Sequence, residues 1–343
     1  MTIVEGIRQL LRQNPLAKIL VCAPSNSAAD LIAEKLASAL SPDELFRFYA
    51  PSRPKNATSS KLEKYTHRVR ETYTVPPMSR MTKFKVIVST CVSASIFHGT
   101  GMECGHFGYI FIDEAGQATE PEVMIAVKTI ADNRTRVILS GDHKQLGPII
   151  RSDVARTLGL ETSYLERLMG RDGYEETQNC GIRFLNSRPH LHGPLTSFHS
   201  SVVKLVKNFR SHEAILDFPN EKFYNGDLRA FAPRPVIDSF LDKPILPSPR
   251  FPVLFHGIMG KDDRDASSPS FFNIDEVIEV KGYVTLLKEN YRIGSSSGVS
   301  IELRLLIFYP TTADQDIGMI TVTTHLVCSN NYQVSLPRTT RKS

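Results

Sequence analysis

Four short apolar runs constrain this chain more than anything else in it. KILVCAP (18–24), FKVIVST (84–90), YIFID (109–113) and RVILSGD (136–142) are each of strand length. Each empties into small polar or acidic residues: APSNS, STC, DEAGQ and GDHKQ. Runs that are apolar at nearly every position, rather than at alternate ones, suit strands covered on both faces. Helical patterns separate them. Ile3, Val4, Ile7, Leu10 and Leu11 predict an amphipathic helix over 3–13, stopped by Asn14 and Pro15. Residues 27–40 read as a second, with Ala28, Leu31, Ile32, Leu36 and Leu40 on or near one face. Thr119 with Glu122 forms a capping box and Pro121 sits in the first turn, opening a third helix to about Ala131. Strands alternating with helices predict an α/β fold, a parallel sheet with helices on both faces. In such sheets ligands gather at the carboxyl ends of the strands, where all four polar tips fall.

At 343 residues the chain has room for two domains. Its hydrophobic and charged shares, 41% and 22%, exclude a disordered chain. A net charge of +5 permits a nucleic-acid partner without requiring one. No run approaches the ~18 apolar residues of a membrane span, so no membrane partner is expected. The first residues lack the apolar core and cleavage site of a signal peptide. Cys22, Cys91, Cys104, Cys180 and Cys328 are scattered and odd in number, which implies a reducing compartment and a cytoplasmic location.

Organisation along the chain is uneven. Residues 50–82, rich in Pro, Lys and Arg, read as an excursion from a first domain over 1–170. Residues 171–203 show little periodicity and read as an insertion. A second domain is expected over 204–298, with a helix through 212–223, a strand at 252–258 and a helix from Asn273 to about 289. GSSSG (294–298) reads as a flexible joint and 299–343 as a divergent tail with apolar alternation.

The strand tips carry the chemistry. A carboxylate in the position of Asp113 can hold Mg²⁺ through water, because Mg²⁺ takes few protein ligands and keeps several waters. The next acid, Glu114, can orient or deprotonate an attacking water; a solvated strand end would carry the same pair. In GDHKQLGP (141–148), Gly141 lets the chain turn, Asp142 follows it, and the Gln145 amide can sense a terminal phosphate. Pro24, Ser25 and Asn26 lie where hydroxyls and amides suit a phosphate backbone, although Ser25 or Ser27 as a plain N-cap fits equally. Ser89 and Thr90 share that ambiguity. Arg210, in NFRSH (208–212), can reach a γ-phosphate from a second domain or stand as a surface charge. HLH (190–192) reads as loop histidines rather than a metal site.

Taken together, these stretches resemble the Upf-one-like superfamily-one RNA helicases, most closely the Mov-ten and Armitage branch. APSNSAAD (23–30) is similar to motif Ia and STC to motif Ic. DEAGQA (113–118) resembles motif II, GDHKQLGP motif III, and NFRSH with NEKFYNGDL (220–228) motif IV. FHGIMGKDDRDASSPSFFN (255–273) also resembles that branch. The resemblance covers about 1–170 and 204–290. It implies two RecA-like domains, both incomplete here, with ATP between them and single-stranded RNA across their top. It assigns Mg²⁺ to Asp113, water activation to Glu114, γ-phosphate sensing to Gln145, and a second-domain phosphate contact to Arg210. Gly141 and Asp142 fall in the nucleotide-side motif III, and Pro24, Ser25, Asn26, Ser89 and Thr90 on the RNA side. It further implies 5′-to-3′ movement and partners in RNA silencing.

Such an acid pair works with a phosphate-binding loop, G-x-x-x-x-G-K-S/T, and none occurs in the 343 residues. The resemblance places that loop immediately before Met1, so the sequence is expected to begin just after it. No V-x-x-x-Q-G-x-E or A-L-T-R-A stretch, the family's motifs V and VI, occurs either. The polypeptide is therefore expected not to hydrolyse ATP by itself, and a non-catalytic module that binds single-stranded RNA or a protein partner is the alternative.

Overall fold

A computed structural model describes residues 2–171, 174, 202–264, 271–291, 301–310 and 317–326. The chain divides into two units, Met1–Lys204 and Leu205–Ser343. The expected insertion at 171–203, apart from residues 171, 174, 202 and 203, lies outside the described residues, as do HLH, GSSSG and, of the tail, residues 299–300, 311–316 and 327–343.

The first unit begins with α1 (Thr2–Gln13), β1 (Ile19–Ala23), α2 (Asn26–Leu36) and β2 (Leu45–Arg47). A two-stranded hairpin of β3 (Arg68–Val69) and β4 (Thr72–Tyr73) follows, then α3 (Met78–Met81), β5 (Val86–Thr90) and α4 (Ser95–Gly99). β6 (Tyr109–Ile112), α5 (Glu120–Lys128), β7 (Arg136–Leu139), α6 (Asp153–Thr157) and α7 (Tyr164–Met169) complete it. Five strands form one sheet in the order β2-β5-β1-β6-β7, and every neighbouring pair is parallel. Ile19 pairs with both Val86 and Tyr109, which centres β1.

Apolar residues at consecutive positions have somewhere to go on both sides. Leu20, Cys22, Ile87, Ile110 and Ile112 pack with Phe97 of α4 and with Val123 and Ala126 of α5. Ile19, Val21, Ala23, Val86, Val88 and Phe111 pack with Ile3, Val4 and Ile7 of α1 and with Ala29, Ile32, Ala33 and Leu36 of α2. Alternate side chains of a strand point to opposite faces, so one sheet feeds both layers. α5 starts on the expected capping box: Glu122 N–H donates to the Thr119 hydroxyl, and Thr119 N–H donates to the Glu122 carboxylate at 2.9 Å.

The structure departs from expectation in three places within this unit. α2 ends at Leu36, short of residue 40, and Leu31 is exposed because the buried face runs through 29, 32, 33 and 36. β2, where LFRF carries an arginine that breaks the apolar run, is an additional sheet strand. β7 lies at the edge of the sheet opposite β2, and its Arg136 and Val137 are exposed, so it is not covered like its neighbours. The excursion at 50–82 lies outside the main sheet, yet Leu62, Tyr65, Tyr73 and Met81 are buried.

The second unit starts with β8 (Lys207–Asn208), α8 (Glu213–Phe223), β9 (Arg229–Ala230) and α9 (Arg234–Ile237). β8 and β9 are parallel. β10 (Asp262–Arg264) and β11 (Phe271–Asn273) form an antiparallel pair before α10 (Ile274–Tyr291). Asn273 caps α10 as expected, its side-chain oxygen accepting from Asp275 N–H at 3.1 Å and Glu276 N–H at 3.3 Å. β12 (Ile301–Pro310) and β13 (Ile317–Leu326) form an antiparallel pair where the apolar alternation of the tail was noted. The strand expected at 252–258 does not form. Its Pro252 and Gly257 leave only a short stretch that could pair.

Candidate functional site

All five sheet strands run the same way, so all their tips lie on one edge. From β5 to β7 the tips follow in the order Thr90, then Pro24–Asn26, then Asp113–Glu114, then Gly141–Asp142. At ~4.8 Å per strand the whole row is about 15 Å wide. One half is neutral and hydroxyl- or amide-bearing; the other is acidic. Backbone hydrogen bonds continue the ladder past the strands. Cys91 N–H donates to Ala23 C=O at 3.0 Å, Asp113 N–H to Cys22 C=O at 2.8 Å, and Ser140 N–H to Ile112 C=O at 2.8 Å.

Two glycines let the acidic tips meet. A Cβ on Gly116 would lie 2.7 Å from the Asp142 carbonyl oxygen. A Cβ on Gly141 would lie 2.9 Å from the backbone nitrogens of Ala115 and Gly116. Ala115 N–H also donates to Ser140 C=O at 2.8 Å. The tips of β6 and β7 are thus in backbone contact, and Asp113 and Glu114 stand beside Asp142.

Glu114 is exposed and has φ +53°, the left-handed region that costs a non-glycine residue about 1–2 kcal/mol. Strain of this kind concentrates at functional positions. The Gln117 side-chain amide donates to the Glu114 carboxylate at 3.3 Å, a contact within DEAGQ that motif reading alone did not single out. Asp113 is half-buried. The Asp142 carboxylate accepts from Lys144 N–H and from the Gln145 side-chain amide, both at 2.9 Å. Gln145 therefore has a local tether and an exposed position.

On the neutral half, Ser25 caps α2, accepting from Ala28 N–H at 3.2 Å, and lies 3.0 Å from the Ser27 hydroxyl. The N-cap reading of Ser25 is realised, and its exposure leaves room for a ligand as well. Thr90 is half-buried, donating to the Ser93 hydroxyl at 2.8 Å. Ser89 is fully buried, because alternation along β5 turns it with Ile87 toward the layer of α4 and α5. Its hydroxyl donates to Thr90 C=O at 3.0 Å and lies 3.7 Å from the Cys22 sulfur. Burial pushes the neighbouring Cys22 thiol up to about 12, against smaller pulls from Ser89 and Arg47.

Arg210 belongs to the second unit, exposed just after β8, with its backbone N–H donating to the Asn208 side chain at 2.9 Å. Among the described residues no three His, Cys, Asp or Glu side chains cluster as a metal cage. A single carboxylate at Asp113 suits Mg²⁺ held mainly through its waters. The carboxylates at the β6 and β7 tips, Asp113, Glu114 and Asp142, form no phosphate cradle by themselves, since acids repel a polyphosphate.

The sequence matches two family models, each described as an AAA domain, one over residues 55–153 and the other over 188–322. It is 38% identical over 292 residues to the human "RNA helicase Mov10l1", covering 83% of this chain and 22% of that protein. The mouse "RNA helicase Mov10l1" is 36% identical over 326 residues, covering 93% of this chain and 24% of that protein. The chain belongs to the Mov-ten branch of the Upf-one-like superfamily-one helicases. It spans less than a quarter of the length of either relative. The family is nucleotide-binding, and the five parallel strands fit its RecA-like α/β architecture, which the two AAA matches extend to two domains. Among the described residues no helix is long and apolar enough to cross a membrane.

Proposed function

We propose that the chain is part of the motor of an ATP-dependent helicase that moves 5′ to 3′ on single-stranded RNA in the cytoplasm and acts with RNA-silencing proteins. The observation that carries this is the division of one sheet edge into an acidic half, on β6 and β7, and a neutral donor-bearing half, on β1 and β5. Pro24, Ser25, Asn26 and Thr90 are assigned to RNA, and at position 89 the contact falls to the backbone. Asp113 is assigned to Mg²⁺, Glu114 to orienting water and accepting its proton, Gly141 and Asp142 to the nucleotide-side turn, Gln145 to sensing the terminal phosphate, and Arg210 to phosphate charge from the second unit. Mg²⁺ with ATP supplies charge neutralisation at the transferred phosphoryl group.

The 343 residues hold no G-x-x-x-x-G-K-S/T loop, and phosphoryl transfer rests almost wholly on positioning and electrostatics. This stretch on its own is therefore assigned RNA binding without measurable ATP hydrolysis. The test is a titration of fluorescein-labelled oligouridine with the purified chain, alongside a phosphate-release assay. Binding that weakens as salt rises is expected, with no release above background. Absence of binding at low salt overturns the RNA assignment. RNA-stimulated phosphate release abolished by Glu114→Gln overturns the claim of no hydrolysis.

A further inference from the structure

Arg47 is the one fully buried charged side chain on the main sheet's outer strand β2, and nothing in the strand-tip chemistry calls for it. A buried guanidinium is costly unless every donor is used. Here Nε donates to Asp30 Oδ1 at 2.8 Å and Nη1 donates to Phe48 C=O. Nη2 lies 2.8 Å from Asp30 Oδ1 and donates to Asn26 Oδ1 at 3.0 Å. The Tyr49 ring centroid is 4.1 Å from the guanidinium carbon, and the Tyr49 hydroxyl donates to Asp30 Oδ1 at 2.8 Å. Burial holds the Tyr49 hydroxyl well above its usual range, so it stays a donor. Asn26 and Asp30 are one turn apart at the start of α2, and Arg47 bridges them from the neighbouring layer.

The consequence lies in the direction of the Asn26 amide. A guanidinium has donors and no acceptor, so the atom facing it must be the Asn26 oxygen. The amide nitrogen is then turned away from Arg47, and among the described residues it has no hydrogen-bond partner. Asn26 is half-buried beside exposed Ser25 and Ser27 at the β1 tip. Without Arg47, a 180° rotation of the amide would present an acceptor there as readily as a donor. We propose that Arg47 is a positioning residue: it locks the Asn26 amide so that its two N–H donors face the single-stranded RNA backbone, whose phosphate oxygens only accept. This rests on the assignment of the β1 tip to RNA.

The test uses the 343-residue chain and labelled oligouridine, read by anisotropy, with thermal unfolding measured on each variant. Asn26→Ala removes the donors and is expected to weaken binding about three- to tenfold, the worth of an ordinary hydrogen bond. Arg47→Lys keeps the charge and can pair with Asp30, but a single ammonium cannot hold the amide as well. It is expected to weaken binding by a similar factor, and the double variant by no more than the worse single one. Asn26→Asp keeps the bond to Arg47 and turns an acceptor outward, so it is expected to bind more weakly than Asn26→Ala. A purely structural role would lower the melting temperature of Arg47→Lys and leave RNA affinity unchanged. That result, or losses that add in the double variant, or Asn26→Asp binding like wild type, overturns the proposal while the RNA assignment stands. Wild-type chain that binds no RNA removes both. Should Arg47→Lys fail to fold, Asn26→Asp decides alone, since it alters a half-exposed first-turn residue.

Discussion

Gly116→Ala tests whether the two acidic strand tips are held by backbone contact. The added Cβ would fall 2.7 Å from the Asp142 carbonyl oxygen and 3.2 Å from its carbon. Unstrained carbon contacts begin near ~3.5 Å, so the β6 and β7 tips must part by at least about half an ångström. The obstruction is main chain, which cannot rotate aside. Overpacking of this kind costs about 1–3 kcal/mol. Gly6→Ala is the matched control. Gly6 lies inside α1, exposed, with nothing within 4 Å of an added Cβ. Alanine there lowers the entropy of the unfolded chain and is expected to stabilise by about 0.5–1 kcal/mol. The same chemical change thus has opposite signs at two positions. Native-state hydrogen exchange of β1 and β6 amides reads the opening free energy of the first unit directly. A Gly116→Ala variant within about 0.5 kcal/mol of wild type would refute the close approach, since that is the range of an uninvolved surface change.

Two further outcomes follow from groups outside the tips. Burial, with a smaller push from Lys18, lowers the His106 pKa, and its Nε2 is buried without a hydrogen-bond partner among the described residues. The unfolded chain then binds the extra proton first, so stability falls as pH drops below the unfolded value of about 6.5 toward the lowered folded one. His106→Gln should flatten that part of a melting-temperature profile, and an unchanged profile would count against the assignment. Thr119→Ala removes the reciprocal cap of α5 and should cost about 1 kcal/mol in urea denaturation, against which Thr119→Ser is expected to retain most of the stability.

The parallel sheet was legible because its signals are local. Strand length, unbroken apolar character and the polar tips all lie within seven-residue windows, and a strand covered on both faces can hardly be spelled otherwise. The capping box of α5 and the Asn273 cap were legible for the same reason, since each is a bond across two or three residues. The Leu31 error came from counting apolar residues rather than tracing one face: Ala29, Ile32, Ala33 and Leu36 leave no room for Leu31 on the buried side. The burial of Ser89 was not legible, because a tip motif gives residue types and not the phase of the alternation. Its phase is fixed by Val86 and Val88, which point to the α1 and α2 layer and leave Ile87 and Ser89 facing the opposite one.

Arg47 was illegible for a stronger reason. Its partners Asn26 and Asp30 lie 21 and 17 residues away, and no spacing rule links them. In isolation an arginine between two phenylalanines of an outer strand reads as a solvated charge that interrupts the run. Burial reverses that meaning. A side chain with five donors and no acceptor, placed where water does not reach, dictates which atom each neighbour must turn toward it. An apolar residue could have filled the same volume without dictating anything. The choice of arginine therefore says more about the orientation of Asn26 than about the stability of β2, and that is the distinction the Arg47→Lys and Asn26→Asp pair separates.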